Sequence, residues 1–184
     1  MNWAIFSILA YLGFALQLLA DPFWSIGDPD VYQYSPVLLL ILLVFIGLQA
    51  PAMAVAWSAV ILGLLVDIAP PQNESGLIGP WALGFLAAGY ALVQLRNLLF
   101  RDSMFTIAIM TLIAGVFAML VATTLHVMRG VPLLGNDPVV GFSAAEQLYR
   151  GFITLLYTAA VAVPAGYLLL KTRSWWGFSQ RGMR

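Results

Sequence analysis

Apolar residues run through the chain in blocks, not in stripes. Six blocks stand out, at about 3–20, 32–49, 52–69, 80–95, 103–128 and 147–170. Within each block nearly every position is apolar, so no alternation marks a wet face. A helix that crosses a bilayer needs about 20 predominantly apolar residues, and these blocks approach or reach that length. The second is short and borrows residues 31–35. Only Gln49, Ala50 and Pro51 separate it from the third, which predicts a tight hairpin broken at Pro51.

Composition sharpens this picture. Of 184 residues, 62% are hydrophobic and 9% charged, against roughly 25% charged in soluble domains. A core of this size has no room for so much apolar surface, so the bilayer is the expected solvent. The fold class that follows is an all-α integral membrane protein: six transmembrane helices in one compact bundle, with a basic tail at 171–184. Net charge is zero, and nothing in it favours nucleic acid as a partner. The absence of cysteine excludes disulfides, thiolate catalysis and cysteine-ligated metals. The first block has no basic residue before it and no small-x-small cleavage site, so it reads as a retained helix.

Lys and Arg set the orientation. With the N-terminus inside, Arg96, Arg101, Lys171, Arg173, Arg181 and Arg184 fall on the cytoplasmic side, and Arg129 and Arg150 fall outside. Both termini are therefore expected in the cytoplasm of a multi-pass membrane protein. Tyr90, Arg96, Arg101, Lys171 and Arg173 read as anchors at the inner interface. The tail "KTRSWWGFSQRGMR" is expected to hold the inner leaflet through Trp175 and Trp176.

Local signals agree. Ser143-Ala-Ala-Glu146 is a capping box opening the last helix. Glu146 and Arg150 sit four residues apart in the favourable order. Pro80 follows Gly79 at a helix start, where a missing N–H costs nothing. Pro164 is expected to kink the sixth helix.

The chain is poor in chemistry. The one histidine, His126, has no second ligand at metal spacing. No G-x-S-x-G, P-loop or HExxH motif occurs. The hydroxyl residues, among them Ser58, Thr106, Thr111, Thr123, Thr124, Thr154 and Thr158, are able to bond back to their own helix carbonyls. No charge falls at a predicted membrane centre, which disfavours ion-coupled pumping. Small residues are abundant instead and permit close helix contact. The expectation is a protein that is not an enzyme and needs no metal or cofactor.

Asp67 is the exception. It ends the third block, and there a carboxylate opposes the dipole of its own helix by roughly 0.3–1 kcal/mol. Two readings stand side by side. One is a solvated interfacial carboxylate. The other is a rim residue that pairs with Arg129 or Arg150, or accepts N–H groups from the "ESGLIG" turn before the next helix. In the second reading Asp67 staples the third and fourth helices together.

The stretch "GLLVDIAPPQNESGLIGPWALGFLAAGYALVQLRNLLFRD" resembles the MreD family of rod shape-determining membrane proteins. The likeness rests on Gly63-Leu-Leu-Val-Asp67, on the polar loop through Gly76 and Gly79, and on a helix ending in Tyr90, Arg96 and Arg101. Upstream, "YSPVLLLILLVFIGLQAP" is similar to the family's proline-led second span and hairpin. The resemblance implies a non-catalytic scaffold of the bacterial cell-elongation (rod) complex, acting in lateral peptidoglycan synthesis and cell shape. Its implied partners are an MreC-like bitopic protein and, through it, an MreB-like filament and the peptidoglycan glycosyltransferase and transpeptidase pair. The family is also similar in fold to the S components of energy-coupling-factor vitamin transporters, which keeps a small-molecule-binding subunit as the alternative. For that role Trp24, Tyr32, Tyr34, Trp81 and Tyr149 are candidate lining residues. A lipid-handling role is a third reading.

Overall fold

A computed structural model describes residues 2–26, 34–69, 78–96, 103–129, 143–172 and Trp176; for residues 20–24 and 129 it describes the backbone alone. Six helices result: α1 (Trp3–Trp24), α2 (Leu38–Gln49), α3 (Ala52–Ile68), α4 (Pro80–Leu95), α5 (Met104–Arg129) and α6 (Ala144–Lys171). Each lies within or across one of the six apolar blocks.

The second block supplies the centre. Its sequence is apolar on every side, and every residue from Leu39 to Leu48 is buried. A helix hydrophobic all round has to be enclosed by others, and α2 touches each of the other five. α3, α4, α5 and α6 follow one another around it, each packed on the next, and α1 packs against it.

α2 is shorter than the block that encodes it. The block begins near residue 32, whereas the helix starts only at Leu38. Pro36 disfavours helical backbone at Ser35, and Val37 is non-helical at φ −85°, ψ 86°. The Val37 N–H donates across the bundle to Thr158 Oγ1 on α6, at 3.1 Å. At the other end Ala50 is extended ahead of Pro51, as a residue before proline prefers. The 12-residue helix that remains is about 18 Å long.

α3 shows why the outer surface is unusual. Val55, Ala59, Leu62 and Val66 turn inward. Met53, Trp57, Ile61, Leu64 and Ile68 form the opposite, exposed face. α5 repeats this with exposed Phe105, Ile109, Phe117 and Leu120. Apolar rows of this kind on several helices call for an apolar surrounding. Two helices, at Met104–Met128 and Ala144–Lys171, are long and apolar enough to cross a membrane, and the other four apolar helices are shorter.

α6 begins at Ala144, ahead of the apolar block at 147, with Ser143 as its N-cap, where the capping-box sequence places the helix start. The Ser143 hydroxyl accepts the Glu146 N–H at 3.4 Å, and Arg150 pairs with Glu146 at 2.6 Å. α6 then runs through Pro164 to Lys171.

The first and last described residues meet. The Asn2 N–H donates to the Trp176 carbonyl at 2.9 Å. Trp176 is fully buried, with its ring centroid 5.3 Å from that of Phe45 on α2. The expected membrane anchor is thus a core residue: an indole that finds an aromatic partner inside the bundle does not turn to the bilayer. Trp175 lies outside the described residues.

Candidate functional site: a carboxylate clasp between α3 and α4

Gly63 and Asp67 are one turn apart on α3 and face α4. Gly63 brings the helices together. A Cβ built on it would meet Ala82 Cα at 2.5 Å, Trp81 O at 2.7 Å and Ala82 N at 2.9 Å. The first turn of α4 therefore rests on the bare backbone of α3. From that distance Asp67, one turn along, reaches the start of α4.

Its carboxylate accepts three backbone N–H groups. Oδ2 takes Gly79 at 2.9 Å and Ala82 at 3.0 Å. Oδ1 takes Trp81 at 3.1 Å. The first N–H groups of any helix lack partners within it, and an N-cap side chain normally supplies one. The N-cap of α4 is Gly79, which has no side chain to offer. Pro80, next in line, has no N–H to satisfy. Asp67 serves all the remaining donors from another helix, and the N–H of Leu83 returns to Gly79 O at 2.9 Å. The carboxylate opposes the dipole of α3 but complements that of α4.

Gly79 sets the entry angle. Its φ of +128° is unfavourable for side-chain-bearing residues. The space around its missing Cβ is open, so backbone conformation alone calls for glycine there. The Trp81 ring packs edge-on to Phe85, with centroids 6.5 Å apart.

Asp67 is 2% exposed, so it is not a solvated carboxylate. Nor does it form an ion pair among the described residues. Arg150, one of its two expected partners, is bound to Glu146. The side chain of Arg129, the other, lies outside the described residues, as do Gly76, Arg101 and Arg173. A carboxylate surrounded by three well-placed N–H groups has its acceptor capacity largely filled without a cation.

A second charge acts at the opposite end of the same helix pair. Arg96, just past α4, donates through Nη1 to Ala50 O, at the C-terminal end of α2. Sequence reasoning placed Arg96 among interfacial anchors and missed this contact. The available signal was "QAP": a helix stopped by proline leaves carbonyls that a cation can take. Tyr90 is exposed on α4 and Lys171 is exposed at the end of α6. Of the aromatics suggested for a ligand site, Tyr149 is exposed and Tyr34 and Trp81 are half-buried; Tyr32 and the Trp24 side chain lie outside the described residues.

A helical bundle with apolar residues on its outer as well as its inner faces has the architecture of a membrane protein. Within that class, the chain belongs to the family of rod shape-determining proteins MreD, which it matches over residues 1–164. Members of this family are structural membrane proteins that act in rod shape determination and are not a known enzyme family. No curated protein and no solved structure matches the chain. The clasp falls inside the matched region, and Lys171 and Trp176 fall beyond it.

Proposed function

We propose that this protein is a non-catalytic, six-span scaffold of the bacterial rod complex in the inner membrane. In this reading it binds an MreC-like bitopic protein. Through that partner it helps organise an MreB-like filament and the enzymes of lateral peptidoglycan synthesis. The observation that carries the reading, beside family membership, is the Asp67 clasp. It spends the one buried carboxylate among the described residues on fixing the geometry between two helices. A carboxylate held by three N–H donors is a rigid fitting for the rim of a docking platform.

The topology proposed places both termini in the cytoplasm and the clasp at the outer face. The bond between Asn2 and Trp176 supports a shared side for the two, since it joins the start of α1 to the segment after α6 at one end of the bundle. The positions of Arg96 and Lys171, at helix ends on the basic side of the chain, agree with the positive-inside rule. α2 is too short to cross about 30 Å of hydrocarbon alone, and its enclosure by five helices makes that tolerable, because its flanking backbone is covered by protein.

The experiment is affinity purification of the tagged protein from native membranes in mild detergent, with mass spectrometry of the co-purifying chains. The scaffold reading expects stoichiometric recovery of a bitopic MreC-like protein, and weakened recovery from Asp67→Ala at equal membrane abundance. Recovery of ATP-binding-cassette subunits in its place would overturn the reading in favour of a transporter subunit.

A further inference from the structure

The hydroxyl groups inside this bundle mostly satisfy themselves. Ser58 donates to Ala54 O at 2.8 Å, Thr111 to Ile107 O at 2.8 Å and Thr158 to Thr154 O at 2.7 Å. Each reaches the carbonyl four residues back. Thr123 on α5 departs from this habit. It is 5% exposed, and its Oγ1 is enclosed without a hydrogen-bond partner. On α6, Gln147 Oε1 is enclosed and without a partner as well.

These two oxygens come from facing positions. α5 and α6 pack tightly along their length. A Cβ built on Gly115 would meet Leu155 Cδ2 at 2.1 Å, and one on Gly151 would meet Met119 Sδ at 2.3 Å. The two contacts define one antiparallel register. One turn further toward the C-terminus of α5, that register sets Thr123 opposite Gln147.

Two buried oxygens left unmatched on a single seam call for a shared partner. Its chemistry is constrained. Gln147 Oε1 only accepts, whereas the Thr123 hydroxyl both donates and accepts. A single O–H group serves both: it donates to Gln147 Oε1 and accepts from the Thr123 hydroxyl. An ammonium could donate to both oxygens but would leave the Thr123 proton without an acceptor, and a carboxylate has no donor for Gln147. The neighbouring charges on α6, Glu146 and Arg150, pair with each other at 2.6 Å. We propose that the α5–α6 seam at Thr123 and Gln147 is a binding site for a neutral hydroxyl group, which bridges the two helices. The hydroxyl belongs either to an enclosed water molecule or to an uncharged, hydroxyl-bearing lipid.

The test uses the full-length protein in phosphatidylcholine nanodiscs, with thermal midpoints read by tryptophan fluorescence. Thr123→Val removes the hydroxyl at nearly constant shape, and Gln147→Met removes the acceptor. Each should lower the midpoint by roughly 2–4 °C. The double variant should fall no further than the lower single, because each change removes one leg of the same bridge. Thr123→Ser, which keeps the hydroxyl, should preserve the coupling to Gln147→Met. A raised or unchanged midpoint in Thr123→Val, the result for a seam with nothing in it, overturns the proposal. So do single effects that add in the double variant. Adding dioleoylglycerol to the nanodiscs identifies the source. A further rise in wild type that is absent from the double variant assigns the hydroxyl to lipid; no rise, with the coupling intact, assigns it to water.

Discussion

Gly63 stands closer to Ala82 than any side chain at position 63 permits: a Cβ there would lie 2.5 Å from Ala82 Cα. The obstructing atoms belong to backbone, so no rotamer change relieves the clash. Gly63→Ala should destabilise the purified protein by about 1–3 kcal/mol through displacement of α4. That displacement also lengthens the hydrogen bonds of Asp67, so combining Gly63→Ala with Asp67→Ala should cost less than the two singles together. A thermal-melt double-mutant cycle reads this directly. Strict additivity would mean that the glycine and the carboxylate act separately.

Asp67 itself holds three N–H groups. Asp67→Ala leaves them without a protein partner, at roughly 1–3 kcal/mol for each donor that stays buried. Asp67→Asn keeps one accepting oxygen but turns an amide NH2 toward another N–H, and should fall between alanine and wild type. The same order should appear in hydrogen–deuterium exchange of the Gly79, Trp81 and Ala82 amides, with protection lost most completely in Asp67→Ala. Equal protection in all three proteins would show that the carboxylate is dispensable to the turn.

Arg96 offers a contrast between charge and shape. Its guanidinium donates to Ala50 O beyond the last turn of α2. Arg96→Gln removes the cation from that helix end and should cost about 1 kcal/mol. Arg96→Lys keeps the charge and should recover part of the loss. If lysine and glutamine melt alike, geometry and not charge governs the contact.

Trp176 lies beyond the family-matched region and is nonetheless fully buried. Truncation to alanine should cost roughly 3–5 kcal/mol, as for other large aromatics lost from a core. Trp176→Phe keeps the contact with Phe45 and should be milder. A Trp176→Ala protein that melts like wild type would mean that the ring contributes little to the bundle.

The helices were legible in the sequence and their neighbours were not. Six apolar blocks each contain a helix, because in such a chain a long apolar run between polar turns has one stable form. Boundaries moved where single residues intervened. Val37 gives its N–H to Thr158, an α6 residue that no local pattern names, so α2 starts late. The readings open to Asp67 were visible from its place before a Gly-Pro turn. Choosing among them needed the Gly63 contact, which brings the α4 backbone within reach of the carboxylate. Arg96 and Trp176 look like ordinary interface residues in the sequence, since their partners are a backbone carbonyl on α2 and a ring at Phe45. Contacts between distant segments leave no period in the chain.

The clasp reads main chain and not side chains. Asp67 bonds to the N–H groups of Gly79, Trp81 and Ala82, and every amino acid but proline carries that group. Position 81 is therefore released from any covariation with position 67. A homologue can exchange its indole for another residue without loosening the hinge between α3 and α4. The identities that must travel together are Gly63, Asp67 and Gly79, which supply room, charge and angle. An alphabet of three letters thus fixes the joint and leaves the surface above it open to divergence among species.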